Sequence, residues 1–387
     1  MFNQLLLSTL VLTLFQGCYQ SSKDDNLPDF FKSHSNVEVF SKAVDPSTNF
    51  SFTKEQVFGD TEKTYVSNRD RIEVDDLGRV YMESQKSVHV YESNGDKKGI
   101  IGREGRGPGE FVVIHNMQSK NGMLYVYDAN QSRISVFDTE TFELEREIFV
   151  PSINDIRGTG EFSVVNNDYL IVGVIENIRS AESAVTQRFM HYYLMDHSGN
   201  VVEPAITITD IDDYYEIVNQ RGRSYPTVPF DRTTLFSLFE SGKIYLLWTG
   251  QVAIKVLDIK GNFLNGIYYP YSNVKVQGDS DFPVYYETLR FSIPDVRRTL
   301  GERLPETRPA VFDFIVDDEE RIWVATITED VDKYEWWVLQ KDGELINKFE
   351  WLREEKIEAV KNGYMYTRRM EEETGSYQVV RYRIEMS

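Results

Sequence analysis

The sequence predicts an all-β protein, a six-bladed β-propeller of four-stranded antiparallel blades whose ring is closed by an N-terminal strand. Three observations predict it. A turn followed by an aliphatic–aromatic–aliphatic run recurs six times, and about a dozen residues later each run is answered by a second apolar run. Asp, Asn and Gly punctuate these short β-prone runs in units of at least about forty residues, the spacing of propeller blades and not of helical solenoids. The last unit reaches the chain end after its third strand, so chain from the other terminus must pair with it.

The first runs are Gly78-Arg79-Val80-Tyr81-Met82, Gly122-Met123-Leu124-Tyr125-Val126, Asp168-Tyr169-Leu170-Ile171-Val172, Gly242-Lys243-Ile244-Tyr245-Leu246, Glu320-Arg321-Ile322-Trp323-Val324 and Gly363-Tyr364-Met365-Tyr366. Their partners are Val88–Tyr91, Ile134–Phe137, Tyr192–Met195, Ala253–Leu257, Trp336–Leu339 and Tyr377–Val380. These are read as the second and third strands. An inner strand precedes each opening turn, as in Ile72-Glu73-Val74 and Phe312–Val316. An outer strand follows each closing turn, as in Glu145–Val150, Asn265–Tyr269 and Asn347–Trp351. Val37–Phe40 and Phe50–Phe58 are the two candidates for the closing strand. The short Asp/Gly turns fall at one end of the blades. The long insertions, Glu176–Arg188, Asp210–Thr234 and Tyr271–Ala310, fall at the other, which makes that end the working face.

Residues 1–17 read as a signal peptide, 18–36 as a polar tether and 37–387 as one propeller domain. The apolar stretch from Leu5 to Phe15 is too short to span a bilayer but suits the core of a signal peptide. It ends in Leu14-Phe15-Gln16-Gly17-Cys18, which resembles a bacterial lipobox with Cys18 as the lipid acceptor; the missing Lys or Arg at the N-terminus and Phe15 in place of Leu depart from that pattern. Ser22-Lys23-Asp24-Asp25 resembles the export signal of surface lipoproteins in Bacteroidetes-type bacteria. The expected location is the outer membrane through a lipid anchor, at the cell surface if that signal operates and in the periplasm otherwise. Cys18 is the only cysteine, so no disulfide staples the domain. The net charge of −20 repels phosphate backbones and anionic lipid alike, so nucleic acid is not an expected partner.

Gly102-Arg103-Glu104-Gly105-Arg106-Gly107-Pro108-Gly109-Glu110-Phe111 resembles the inter-blade linker of NHL-type propellers. The match continues through Tyr125-Val126-Tyr127-Asp128, Asn130, Arg133-Ile134 and Val136-Phe137-Asp138. Two further copies of the inner hairpin are Val74–Tyr81 and Val316–Trp323. The whole is similar to the six-bladed, TolB-like propeller lipoproteins of Bacteroidetes, a resemblance that implies a fold and no uniform activity. The glycine-rich run is not read as a phosphate loop, because it passes into Phe111-Val112-Val113-Ile114, expected to be a strand, and not into a helix.

Candidate ligand-binding residues are Arg71, His115 and Arg308, placed near the mouth of the axial channel, with Arg223 and Tyr225 from an insertion rich in Arg and Tyr. Those insertion residues serve equally well to pack the loops onto the ring. Pro294–Gly301 reads as a short helix above the channel. The five histidines lack metal-ligand spacing, the Asp residues sit in tight turns without a calcium-loop pattern, and Gly222-Arg223-Ser224-Tyr225-Pro226 lacks the closing glycine of a nucleophile elbow. No metal or cofactor is therefore expected. The leading expectation is a lipid-anchored envelope protein that binds a ligand, glycan or protein partner through its loop-rich face. The alternatives are a hydrolase or lyase using the axial channel, and a structural partner in an envelope complex.

Overall fold

The computed structural model describes residues 27–41, 45–46, 48–60, 62–153, 158–175, 187–212, 217–219, 222–224, 228–277 and 304–387. Cys18, Tyr225 and the Pro294–Gly301 segment lie outside them. Five blades are sequential meanders from the inner to the outer strand: 72–74, 80–84, 87–91 and 97–101 in blade 1; 116–120, 123–128, 133–138 and 144–149 in blade 2; 162–164, 169–175, 188–196 and 201–211 in blade 3; 234–238, 244–248, 252–257 and 263–269 in blade 4; 311–316, 322–327, 333–339 and 345–352 in blade 5. Blade 6 takes 356–361, 364–370 and 377–386 from the C-terminus, and its outer strand is Phe50–Phe58, antiparallel to the last. Asn49 and Ser387 exchange backbone hydrogen bonds of 3.0 Å in both directions, so the two ends of the chain meet at the seam.

Second strands are the most deeply buried, on both faces in Val80–Ser84 and Ile322–Ile327. Each blade is covered on both sides by neighbours, so its apolar residues form inter-blade layers. Tyr81 and Leu124 join blades 1 and 2, Tyr127 and Val172 join 2 and 3, and Tyr192 and Leu246 join 3 and 4. Leu247 and Trp337 join blades 4 and 5, Trp336 and Met365 join 5 and 6, and Tyr366 and Met82 join 6 and 1. The ring is thereby continuous.

The closing strand is Phe50–Phe58, and Val37–Val39 does something else. It adds a fifth strand to blade 4, parallel to the outer strand, with Val39 opposite Tyr268. The path starts before residue 37: Phe31 is buried against Ala253 and Tyr268, and His34 stacks on Phe263 at 3.8 Å. Phe40 then stacks on Tyr269, Thr48 Oγ1 donates to the Ile346 carbonyl, and Asn347 donates to the Thr48 carbonyl. The N-terminal segment thus straps the outer rim from blade 4 over blade 5 to blade 6. The strap covers edge groups that would otherwise offer a template to another chain.

The two copies of the inner-hairpin motif share one buried device. Asp75 caps the turn by accepting from the Leu77 and Arg79 amides, and its other oxygen takes Arg79 Nε at 2.6 Å and the Tyr81 hydroxyl at 2.9 Å. Asp317 repeats this with Arg321 Nε at 2.7 Å and Trp323 Nε1 at 2.8 Å. Arg79 goes on to donate to the Thr139 carbonyl and hydroxyl of blade 2, so one turn holds the next blade in register. Reading Asp75 and Asp317 as turn formers alone missed this second job. Glu320 occupies the place of Gly78 with φ +63°, and it bridges to Lys243 and the Tyr245 hydroxyl of blade 4. The Glu320→Gly variant is expected to lie within about 1 kcal/mol of wild type in urea unfolding, because relief of the left-handed backbone offsets the lost bridge.

The glycine-rich linker is a structural clamp. Arg133 donates to the carbonyls of Gly107 and Glu110 at 2.8 Å, and Glu110 accepts from the Gly107 amide. Phe111–Ile114 is not a strand beyond Glu110–Phe111; the inner strand starts at Asn116. The reason is Asp128, whose carboxylate takes the Val112 and Val113 amides and holds them away from the ladder.

Candidate functional site: an axial pocket between blades 1 and 4

An inner strand has one edge with no neighbour, and its amides face the axis. Side chains of the preceding blade fill part of this need. Glu73 of blade 1 accepts from the Ser119 amide of blade 2 at 2.9 Å, and Gln118 of blade 2 accepts from the Val164 amide of blade 3 at 2.7 Å. Polar side chains are therefore built into the wall of the channel.

A cavity of about 560 Å³ opens among them. Its wall is made by Glu73 of blade 1, Asn116–Gln118 of blade 2, Glu161–Ser163 of blade 3 and Thr233–Leu238 of blade 4, and it extends between blades 3 and 4 to Met190, Tyr192 and Asp210. That volume suits a small organic ligand. The connections that enter the inner strands and those that join second to third strands emerge at the same end of the ring. The three long insertions, all attached to blades 3 and 4, belong to that end, where Glu161, Thr233 and Asp210 also stand.

Two wall groups have no hydrogen-bond partner among the described residues. Tyr192 is 8 % exposed and its ring is stacked on Phe236 at 4.2 Å, yet its hydroxyl has no hydrogen-bond partner among the described residues. Glu161 makes no side-chain hydrogen bond or ion pair among them either. Its side chain is exposed to the water of the channel; the protein packed around the cavity mouth still raises its pKa, while Arg71 and His115 pull it down and Asp210 pushes it up. Asp210 itself is tied to Arg188 Nε at 2.6 Å. Among the described residues, no group of three or more His, Cys, Asp or Glu side chains is arranged to hold a metal ion.

Burial pushes the Glu73 carboxyl up to about 7, against the pull of the Ser119 amide and Lys361, and burial pushes Glu83 up to about 7 as well. Between pH 4.5 and 7 the folded state holds a proton that the unfolded chain has released, so stability from these groups falls as pH rises through that window. The Glu73→Gln variant keeps an acceptor for Ser119 and removes the titration. It is expected to match wild type in urea unfolding near pH 4.5 and to exceed it by about 1–3 kcal/mol at pH 8. Equal stability at pH 8 would contradict this account of the wall.

The sequence-predicted site residues fare differently. Arg71 and His115 stand at the upper ends of the inner strands, beside Glu161. His115 Nδ1 accepts from the Ala129 amide at 3.1 Å, a structural bond that leaves only the other ring nitrogen to act. Arg308 is 1 % exposed and donates to the Thr328 carbonyl, so it braces a connection from inside. Arg232 likewise donates to Phe230 and Thr307 carbonyls. Arg223 lies in the strand Gly222–Ser224, paired with Ile217–Asn219. Glu161, Tyr192 and Gln118 were not singled out from the sequence; a polar residue set among apolar ones in an inner strand, as in Met117-Gln118 and Ile72-Glu73-Val74, was the available signal.

The profile of a family described as 6-bladed beta-propeller matches residues 60–208, which takes in blades 1 and 2 and most of blade 3. With six blade sheets in a closed ring, five of four strands and one extended by a fifth, that decides the fold. The chain is a six-bladed β-propeller. No curated protein matches it in sequence. Among solved structures, a Bacteroides fragilis NCTC 9343 protein designated as exported aligns at 12 % identity and TM-score 0.51, over 90 % of this propeller and 99 % of its own chain. The PQQ-bound aldose sugar dehydrogenase of Streptomyces coelicolor aligns at 10 % identity and TM-score 0.42, over 88 % of this propeller and 100 % of its own chain. At such identities these likenesses concern the fold alone.

Proposed function

We propose that this propeller is a lipid-anchored protein of the bacterial cell envelope that binds a glycan in its axial pocket, entered from the loop-rich face. The observation that carries the reading is the wall itself. Acids, amides and hydroxyls (Glu161, Asn116, Gln118, Thr234) surround the stacked Tyr192–Phe236 pair, and the Tyr192 hydroxyl and Glu161 carboxylate await partners. Sugar hydroxyls satisfy such groups in pairs, and a flat aromatic face suits the apolar side of a sugar ring. A thermal-shift screen of mono- and disaccharides tests it. At least one is expected to raise the melting temperature of wild type, with affinity weakened about tenfold by Tyr192→Phe. A screen without any shift would refute the reading.

The anchor is tested separately. Wild type expressed in a Gram-negative host is expected to incorporate labelled palmitate and partition into detergent, and Cys18→Ser is expected to do neither. Partitioning unchanged by Cys18→Ser would refute lipidation.

A second reading is favoured by one feature. A carboxyl raised by enclosure, Glu161, is suited to donate a proton to a leaving group, as a hydrolase or lyase requires. Hydrolysis of nitrophenyl glycosides by wild type and its loss in Glu161→Gln would support it.

A further inference from the structure

The charge of the wall says more about the ligand than its hydroxyl-rich character does. Three carboxyl groups, those of Glu73, Glu161 and Asp210, line the cavity, and among the described residues no Lys, Arg or His does. Asp210 is neutralised by Arg188, and Glu73 is held by the Ser119 amide with Lys361 nearby. Glu161 alone is uncompensated by any short contact; Arg71 and His115 act on it from above, outside the lining. Glu161 is open to solvent at the cavity mouth, so an arriving cation meets a carboxylate that no protein cation has claimed by a short contact. The field of a chain with net charge −20 draws cations toward such a cleft and repels anions. The unpartnered Tyr192 hydroxyl, close enough to Glu161 and Asp210 to feel their charge, supplies a neutral hydrogen bond to the same occupant.

We infer that the axial pocket takes a glycan bearing a free amine, with Glu161 as the counter-ion of its ammonium group and Tyr192 bonded to a neighbouring hydroxyl. This rests on the glycan reading above and narrows it to one charge class. The ammonium replaces water at the Glu161 carboxylate, and the sugar ring lies by the Tyr192–Phe236 pair. An N-acetylated sugar of the same shape would offer Glu161 no cation to pair with.

Calorimetric titration of the full chain with the β-1,4-linked glucosamine disaccharide and its N,N′-diacetylated counterpart tests the inference. At pH 6 and low salt the free amine is expected to bind about tenfold more tightly than the acetylated form. That gap is expected to close in 0.5 M NaCl and in Glu161→Gln, while Tyr192→Phe weakens both ligands alike and leaves the gap. Glu161 holds up no other side chain, so its replacement by Gln is not expected to unfold the protein. Equal or tighter binding of the acetylated form would overturn the charge assignment and leave the glycan reading standing. Binding of neither would sink both. A tenfold gap that persists in Glu161→Gln would remove Glu161 from the role given to it.

Discussion

Deletion of residues 1–60 is expected to leave no cooperatively folded protein. Phe50–Phe58 is the outer strand of blade 6, paired antiparallel from Phe50 opposite Met386 to Phe58 opposite Val379 with one bulge between Lys54 and Gln56. Phe58 is fully buried between blades 6 and 1, and Phe50, Phe52 and Val57 pack against the layer between blades 5 and 6. Without this strand the ladder edge of 377–386 is bare, and burial of four apolar side chains is lost at about 1.5–3 kcal/mol for each one fully buried. Phe58 is fully buried and the other three partly so, and their loss together with the bared ladder edge removes a large share of the stability of an ordinary domain. A shorter deletion separates closure from strapping. Removing residues 1–46 takes away the fifth strand of blade 4, Phe31 and Phe40 but spares the closing strand. That protein is expected to fold with a urea midpoint reduced by a few kcal/mol of stability. A soluble, cooperatively melting chain from residue 61 onward would refute the closure.

The second large effect is expected at the buried ion pair of blade 5. The Asp317 side chain is 0 % exposed and that of Arg321 is 5 % exposed. Replacing Asp317 by Ala leaves a guanidinium without its main acceptor, orphans the Trp323 indole N–H and uncaps the turn at Glu319 and Arg321. The expected loss is about 3–5 kcal/mol in urea unfolding. The double variant Asp317→Leu/Arg321→Met removes the uncompensated charge and is expected to be milder than Asp317→Ala, because most of the cost of a broken buried pair is the stranded partner. A single-variant loss under about 1 kcal/mol would show that the pair is solvated, and so contradict its placement.

Much of the fold was legible because a propeller repeats its local chemistry. A polar opening turn, the buried second strand and the answering third strand recur in every unit. Even Glu320 could be aligned with Gly78 despite its side chain. The closing strand was legible as one of two candidates, and register could not choose between Val37–Phe40 and Phe50–Phe58. The nine residues of the latter match the ten of Tyr377–Met386 in length, whereas Val37–Val39 has three and settles on a different blade. The cross-blade reach of Arg79 to Thr139, sixty residues away, leaves no local pattern.

The candidate site was less legible for the same reason. Its wall draws short stretches from four blades, so no two wall groups from different blades are neighbours in sequence. His115 stood out as a lone imidazole, but the Ala129 amide claims one of its nitrogens. Arg308 stood out by residue type, but it is enclosed. The lengths of the insertions, visible without coordinates, pointed to the end of the ring at which Glu161, Thr233 and Asp210 stand.

Crystals soaked with the saccharide that most stabilises the protein would test the account most directly. It predicts ligand density in the cavity between blades 1 and 4, within hydrogen-bond distance of the Tyr192 hydroxyl and the Glu161 carboxylate. Density on the short-turn face or on the outer rim, with the cavity holding only water, would contradict it.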